Sequence, residues 1–196
     1  FENSDTVRIG DQKSGNCTSF AEQIVFRNNR FQHGKEIGIN VQCGRNILIE
    51  DNIFDNLRSR TVGVSLNAVQ LSNTVENISI TGNTFRDIGG DGLYIIGSVQ
   101  DLEISSNTFE VIRPYSYRDE TGKVDSANPT RFGNVGSNAI ELKSTPGGDI
   151  EITGNIIRGF YPAASGQDVK RSLGIGLQIL NDVSGITLRK NYFYNN

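Results

Sequence analysis

The chain has 196 residues, a formal net charge of −3 at pH 7, and two cysteines. This length suits one domain with a substantial core. Its Lys and Arg residues are dispersed along the chain, which argues against a nucleic-acid partner. The sequence contains no apolar run long enough to cross a bilayer and opens with no charged-then-apolar signal segment, so we expect no membrane partner either.

A nine-residue phrase of the form x-Ile-x-Ile-x-x-Asn-x-Phe recurs along the chain. Its apolar positions alternate with mostly polar ones, which is the period of a strand with one buried face. The spacing of the copies predicts a solenoid whose coils have roughly twenty-odd residues, with extra loop inserted in some of them. The six copies begin at Gln23, Asn46, Asn77, Asp101, Asp149 and Gly185.

The Asn and the Phe of each phrase are predicted to be structural. The Asn follows each strand, where it can adopt left-handed dihedrals and bond the backbone of a turn. Stacked from coil to coil, these Asn residues should form a ladder, and the aromatic rings should stack inward. The ladder residues are Asn29, Asn52, Asn83, Asn107, Asn155 and Asn191, and the inward residues are Phe31, Phe54, Phe85, Phe109, Ile157 and Phe193.

Each phrase is followed, after a turn, by a second run with strand periodicity. Parallel neighbours cannot be joined by a two-residue hairpin, and no stretch shows helical periodicity long enough for crossover helices. Two strands per coil, stacked in parallel, therefore predict an all-β fold of the β-helix type with about six to seven coils. The second strands are predicted at residues 38–43, 63–68, 92–97, 139–144 and 176–181.

The phrase, together with the Gly90-Asp-Gly-Leu-Tyr-Ile95 run, resembles the right-handed parallel β-helix superfamily of pectate-lyase-like proteins. That superfamily includes pectate and alginate lyases, chondroitinase B, mannuronan epimerases and phage tailspikes. The resemblance covers residues 20–196 and implies a right-handed parallel β-helix. It is a resemblance of coil pattern, which specifies fold more strongly than activity.

We expect a single β-helix domain over residues 1–196, with residues 1–19 as an N-terminal lead-in. The chain begins at Phe1 and contains no Met, which favours a processed protein or a fragment of a longer β-helix. No recognisable cap follows the last repeat. We therefore expect additional chain or another subunit, for example in a homo-oligomer, to cover the solenoid end.

Cys17 and Cys43 lie about one coil apart in the sequence. A disulfide between the lead-in and the first coil is one interpretation. Two buried free thiols are the alternative, because a core accommodates Cys readily.

Aligning the second strands places polar side chains in two columns on one outward face. Neighbouring coils in a parallel ladder lie about 4.8 Å apart, so these side chains should form a continuous patch. A patch of Asn, Gln, Tyr, Glu and Lys favours a hydroxyl-rich ligand. The first predicted column is Asn40, Ser65, Tyr94, Glu141 and Gln178, and the second is Gln42, Asn67, Ile96, Lys143 and Leu180.

Two long insertions, residues 113–137 and 159–173, precede the strands of Glu141 and Gln178, so we expect them to rise beside this face. Loops of more than about a dozen residues in a compact domain are usually functional or disordered. Aromatic rings among charges suit sugars, although a solvated loop without a binding role is the alternative. Tyr115, Tyr117, Lys170 and Arg171 are candidate substrate-binding residues, and Arg118 and Arg131 are candidate catalytic cations.

Elimination from a polyuronate needs a cation for the carboxylate, a base and an acid. Lys143, beside Glu141 and an insertion arginine, could supply two of these functions. The Glu141-Leu-Lys-Ser144 run resembles the Glu and Lys-Ser region of the alginate lyase and chondroitinase B family, which implies Lys143 as the base and an acidic neighbour that helps to hold calcium. The next coil departs from that family, with Gln178-Ile-Leu180 where the family has an Arg-His pair.

Hydrolysis is the second enzymatic hypothesis. Glycosidases need two carboxyl groups about 5 to 9 Å apart. Glu141 paired with an insertion carboxylate is the favoured combination, and Asp91, which lies between glycines, has a turn role as its alternative. The candidate carboxyl groups are Asp91, Asp119, Glu120, Glu141 and Asp168.

The sequence therefore predicts a carbohydrate-active enzyme, secreted or on a cell or virion surface, that cleaves or modifies an acidic polysaccharide. Elimination is favoured over hydrolysis. The alternative is a non-catalytic glycan-binding or tailspike-like β-helix whose groove holds the same polysaccharide or oligosaccharide partner. No zinc or nucleotide-binding pattern is present, and Ca²⁺ is the one cofactor that remains possible, through carboxylates and carbonyls.

Overall fold

The computed structural model describes residues 7–10, 17–33, 37–55, 57, 67–86, 88, 90–110, 138–143, 148–158 and 176–194. These residues form fifteen strands, and every strand pairing among them is parallel. None of the described residues belongs to a helix that could cross a membrane. The strands are β1 Val7–Ile9, β2 Ala21–Arg27, β3 Arg30–Gln32, β4 Ile39–Glu50, β5 Ile53–Asp55, β6 Val69–Thr81, β7 Thr84–Arg86, β8 Leu93–Ser105, β9 Thr108–Glu110, β10 Ile140–Lys143, β11 Ile150–Thr153, β12 Ile156–Arg158, β13 Leu177–Leu180, β14 Ile186–Arg189 and β15 Tyr192–Tyr194.

Each coil has three faces. The long strands β4, β6 and β8 bend at a corner and supply both the first and the second face, whereas β10 and β11, and likewise β13 and β14, supply these faces separately. The third face is a six-stranded sheet of β3, β5, β7, β9, β12 and β15. The predicted parallel β-helix is confirmed, but two strands per coil is wrong, because the corner at the ladder Asn divides each phrase between the second and third faces.

The described strands make six coils, in agreement with the predicted number. The first coil consists of β1, β2 and β3, and β1 joins the first face through pairing of Val7 with Ile39. Ile9, at the end of β1, is 9% exposed and belongs to the core. Part of the predicted lead-in is therefore a strand of the solenoid.

The first face of the third coil starts later than predicted. Val69–Ser72 pairs with the first-face strands of both neighbouring coils, so the strand predicted at 63–68 is wrong at Asn67 and Ala68, and residues 63–66 lie outside the described residues. Both runs alternate apolar and polar residues, which explains the error. The register of the first face is set by a small residue that follows each corner. A small residue is needed there because neighbouring coils lie close together: at Gly92 an added Cβ would lie 2.6 Å from the Ala139 carbonyl oxygen. These small residues are Gly38, Ala68, Gly92, Ala139 and Gly176.

The first Asn ladder forms as predicted. At Asn83, the backbone N–H and the side-chain amide both donate to Oδ1 of Asn107, at 2.9 and 3.0 Å, and the amide also donates to the Ile49 carbonyl at 2.8 Å. The left-handed conformation, however, belongs to the residue before each ladder Asn. Those residues have φ between 53° and 66°, and they are Asn28, Asp51, Gly82, Ser106, Gly154 and Lys190.

The aromatic column forms as predicted from Phe31 to Ile157, but the buried core position predicted for Phe193 is wrong, because this ring, in register with Ile157 in the last described coil, is 48% exposed. The rings of Phe31, Phe54, Phe85 and Phe109 are stacked, with centroid separations of 4.8, 4.9 and 4.7 Å. Ile157 continues the column in register with Phe109. Because these side chains point inward, they form the core, and sugar binding must use other residues.

Cys17 and Cys43 form a disulfide with a Cα–Cα distance of 5.4 Å. The disulfide interpretation is therefore confirmed, and free thiols are excluded for both cysteines. The bond ties residue 17 to the corner between the first and second faces of the second coil, where Cys43 has a φ of 58°. A cross-link of this kind stabilises a fold mainly by constraining the unfolded chain.

A candidate acid–base site on the first face

The structure aligns an outward column along the first face. Of the predicted members, Asn40, Tyr94, Glu141 and Gln178 lie in register, and Gln70 takes the place predicted for Ser65. The first coil adds Arg8 beside Asn40. The neighbouring column contains Gln42, Ser72, Ile96, Lys143 and Leu180.

Asn67 is not in the outward column, which corrects its predicted place. It lies at the corner before β6 and is completely buried. Its Oδ1 accepts the backbone N–H of Asp91 at 3.1 Å, and its amide donates to Oε1 of Gln70 at 3.2 Å. The shifted start of the first face therefore turns this predicted binding residue into a corner residue.

A second, shorter ladder runs along this corner. Asn67 accepts the backbone N–H of Asp91, and Oδ1 of Asp91 accepts the backbone N–H of Asn138 at 2.9 Å. This ladder runs in the opposite direction to the first one, in which each backbone N–H donates to the Asn of the following coil, and its middle residue is an acid. The two hydrogen bonds of Asp91 confirm its turn role. Because Asp91 is only 2% exposed, its carboxyl group lies in the protein interior.

Asn138 connects the corner to the outward column. Its amide donates to Oε2 of Glu141 at 2.7 Å and to Oε1 of Gln178 at 2.9 Å. Glu141 is itself only 7% exposed. The structure therefore brings Asp91 and Glu141 into one hydrogen-bonded cluster, although 49 residues separate them in the sequence.

Burial raises the pKa of Asp91 from 3.8 to about 7; the charge of Glu141 acts in the same direction, whereas hydrogen bonds from Asn138 oppose the shift. The pKa of Tyr94 is also raised, first by burial and then by the charges of Glu141 and Asp91. A carboxyl group with a pKa near neutrality can donate or accept a proton under physiological conditions. This cluster therefore has the electrostatic properties of an acid–base site.

The approach to the carboxyl groups is lined by Tyr94, Lys143 and Gln178, which are all partly exposed. Lys143 lies two residues after Glu141 on the same strand, and its neighbours in adjacent coils are Ile96 and Leu180. The site thus presents one cation, one phenol and one amide to a ligand that reaches the face.

Unpaired acceptors lie further along the same face. Oδ1 of Asn40, Oε1 of Gln42 and Oγ of Ser72 are buried and have no hydrogen-bond partner among the described residues. Leaving such an atom without a donor costs about 1–3 kcal/mol. Because Gln42 and Ser72 are register neighbours, these atoms form a polar patch that hydroxyl groups could complete.

The remaining candidates lie outside the described residues. Within the described part of the chain, no group of three His, Cys, Asp or Glu residues could hold a metal ion. The roles assigned to the insertions and to Ca²⁺ therefore stay predictions. The candidates concerned are Tyr115, Tyr117, Arg118, Asp119, Glu120, Arg131, Asp168, Lys170 and Arg171.

Sequence reasoning missed two residues of this cluster, Gln70 and Asn138. Gln70 was hidden by the register error. Asn138 carries no chemical signal by itself, but it precedes a small residue and an apolar–polar alternation, as Asn67 and Asp91 do. Aligning the chain on these small residues would have identified both.

A family model described as "right handed beta helix region" matches residues 2–113, which is more than half of the chain. The matched residues include Asp91 and Tyr94 but not Glu141. No curated protein matches the chain, and no solved structure matches it. The parallel coils and this match together show that the chain belongs to the right-handed β-helix family.

Proposed function

We propose that this chain is a carbohydrate-active enzyme that cleaves glycosidic bonds with Asp91 and Glu141 as its acid–base pair. One observation carries the proposal. Asp91 places an ionisable carboxyl group at a buried ladder position, whereas the ladder residues in the coils on either side, Asn67 and Asn138, are neutral amides. A buried ionisable group is harder to accommodate than a neutral amide. Strongly shifted carboxyl groups of this kind concentrate at functional sites.

Hydrolysis uses the two carboxyl groups directly. Asp91, with a pKa of about 7, donates its proton to the oxygen of the leaving sugar. Glu141 accepts a proton from water as the water oxygen bonds to the anomeric carbon and the glycosidic bond breaks. The reaction consumes one water molecule, and Glu141 returns the proton through solvent to Asp91.

The proposed substrate is a polysaccharide that runs across the coils. Amide side chains at Asn40, Gln42 and Gln70 suit hydroxyl groups, and the unpaired acceptors on this face need donors that a glycan provides. Lys143 lies on the same face as Glu141 and would contact a sugar carboxylate. These features support an acidic polysaccharide as the substrate class.

Elimination is the second candidate, and Lys143 is the residue that favours it. Its position two residues from Glu141 places a potential base and an acidic group on one face. In this reaction the Lys143 amine takes the proton beside the sugar carboxylate, a carbon–carbon double bond forms as the carbon–oxygen bond to the glycosidic oxygen breaks, and Asp91 protonates the departing oxygen. An unsaturated sugar product distinguishes elimination from hydrolysis.

The proposed location is an oxidising compartment, either outside the cell or on a cell or virion surface. The Cys17–Cys43 disulfide supports this location, because disulfides persist mainly in secreted and surface proteins.

The test is cleavage of a panel of neutral and acidic oligosaccharides, assayed for new reducing ends and for unsaturated products. Asp91→Asn and Glu141→Gln should each lower the rate by at least about 100-fold. Glu103→Gln, which removes an exposed carboxylate from the second face, should leave the rate unchanged. Binding without cleavage by the wild type would support the non-catalytic alternative, and full activity of Asp91→Asn would refute the acid–base assignment.

A further inference from the structure

Asn138 lies between the two carboxyl groups of the candidate site and is completely buried. Its backbone N–H donates to Asp91 in the preceding coil at 2.9 Å. Its side-chain amide donates to Glu141 in its own coil and to Gln178 in the following coil, at 2.7 and 2.9 Å. One residue therefore holds a polar group on each of three successive coils.

The side-chain amide of Asn138 has a fixed orientation. An amide has two hydrogens, and here the acceptors are Oε2 of Glu141 and Oε1 of Gln178. Gln178 therefore stops the amide from rotating away from Glu141. An N–H donor of this kind bonds best to an ionised carboxylate, because the charge strengthens the hydrogen bond.

The contact with Asp91 is of a different kind. It comes from the backbone N–H of Asn138 and belongs to the corner ladder, so it holds Asp91 in place without involving Glu141. The described titratable groups around the pair are Tyr94 in the strand after Asp91 and Lys143 in the strand of Glu141. The other described ladder and column neighbours, Asn67, Gln70 and Gln178, are neutral amides.

We infer that Asn138 is a positioning residue that gives the two carboxyl groups different roles: it holds Glu141 as the proton acceptor and leaves the exchangeable proton on Asp91. This inference rests on the proposed function, since it explains how two adjacent acids divide the work of acid and base. Without the amide of Asn138, Glu141 would lose its fixed donor, and the proton would be shared between the two carboxyl groups.

The experiment compares Asn138→Ala with the matched control Asn67→Ala. Asn67 belongs to the same ladder and is equally buried, and its amide donates to Oε1 of Gln70. The titration of Asp91 is followed by carbon NMR of labelled side chains in the full chain. Asn138→Ala keeps the backbone N–H that Asp91 accepts but removes the amide donor of Glu141, so it should lower the pKa of Asp91 by about one unit as the proton is shared with Glu141. Asn67→Ala should move it by no more than about a few tenths of a unit.

Kinetics supply a second measurement. For Asn138→Ala we expect kcat to fall by about 10-fold with little change in KM, and the pH–rate profile to shift with the pKa of Asp91. Asn67→Ala should retain the wild-type pH profile. If Asn138→Ala does not fold, Asn138→Leu keeps most of the side-chain volume, lacks the amide donor of Glu141, and should lower the pKa of Asp91 in the same way.

Equal shifts of the Asp91 pKa in the two alanine variants, or no shift in either, would overturn the inference. Asn138 would then have only a structural role in the ladder. The proposed function fails separately, if the wild type cleaves no glycan. In that case the NMR titration alone decides whether Asn138 controls the proton of Asp91.

Discussion

The two corner ladders of this β-helix both join a backbone N–H to a side-chain oxygen of a neighbouring coil, but they run in opposite directions and use different residues. The first ladder has Asn in all six coils, and its interior amides donate to and accept from their neighbours. The second ladder has Asn67, Asp91 and Asn138, and its middle residue has a pKa of about 7. The neutral amides of the first ladder are explained by their hydrogen bonds, which stabilise the stacked coils. The second ladder contains a buried acid that stacking of the coils does not require.

This difference shows where stability and chemistry separate in a repeat protein. An amide at position 91 would keep the hydrogen bond to the Asn138 backbone without placing an ionisable group in the interior. Residues that reduce stability at buried positions are often retained for function. Exchanging Asn and Asp between the two ladders tests this interpretation directly.

The largest expected effect comes from placing an acid in the uniform ladder. Asn107→Asp should lower the free energy of unfolding by about 4 kcal/mol at pH 7, because Asn107 is completely buried and its amide donates to the Ile80 carbonyl and to Oδ1 of Asn155. Denaturant unfolding measures the change. Asn46→Asp, at an exposed Asn, is the control, and a cost below about 1 kcal/mol for Asn107→Asp would contradict this view of the ladder.

The reverse exchange should stabilise the protein in a pH-dependent way. The pKa of Asp91 rises from 3.8 to about 7 on folding, so the stability contributed by its neutral form is complete below pH 4 and is lost as the pH rises through about 7. Asp91→Asn remains neutral, and at pH 8 it should therefore be more stable than the wild type, by on the order of 3 kcal/mol.

Thermal unfolding at pH 4 and pH 8 measures this effect. The difference between Asp91→Asn and the wild type should be small at pH 4 and large at pH 8. Glu103→Gln, with its carboxylate on the exposed second face, should show no such pH dependence. A constant difference across this range would mean that Asp91 is not the group that titrates.

The smallest effect is expected at the end of the uniform ladder. Asn29 is partly exposed, and its amide donates to the Arg27 carbonyl and to Oδ1 of Asn52. Asn29→Asp should cost about 1 kcal/mol or less, because water can replace the lost partners. If Asn29→Asp lowered the free energy of unfolding as much as Asn107→Asp does, burial would not explain how the ladder stabilises the protein.

Much of the fold was predictable because the repeat places identical residues at equivalent positions. The alternation at Ile47 and Ile49 predicted a buried strand face, and the recurring Asn and Phe predicted the ladder and the ring stack. The third face was not predictable in the same way. A strand such as Ile53–Asp55 has three residues, and a single inward Phe shows no alternation.

The candidate site was predictable only in part. Four members of the first column were placed correctly, but the pairing of Asp91 with Glu141 was not foreseen, because an insertion carboxylate was the preferred partner. Sequence distance hides this pairing, and only the register of Tyr94 with Glu141 brings the two acids together. Asn138 was missed because an amide becomes informative only when its acceptors are known.

The most direct test of the acid–base site is a crystal structure of the Asp91→Asn variant with an oligosaccharide that the wild type cleaves. We expect an intact sugar on the first face, over Tyr94 and Lys143, with its glycosidic oxygen within about 3 Å of the side chain at position 91. A sugar bound to another face, or bound with its glycosidic oxygen out of hydrogen-bond reach of both position 91 and Glu141, would contradict this expectation.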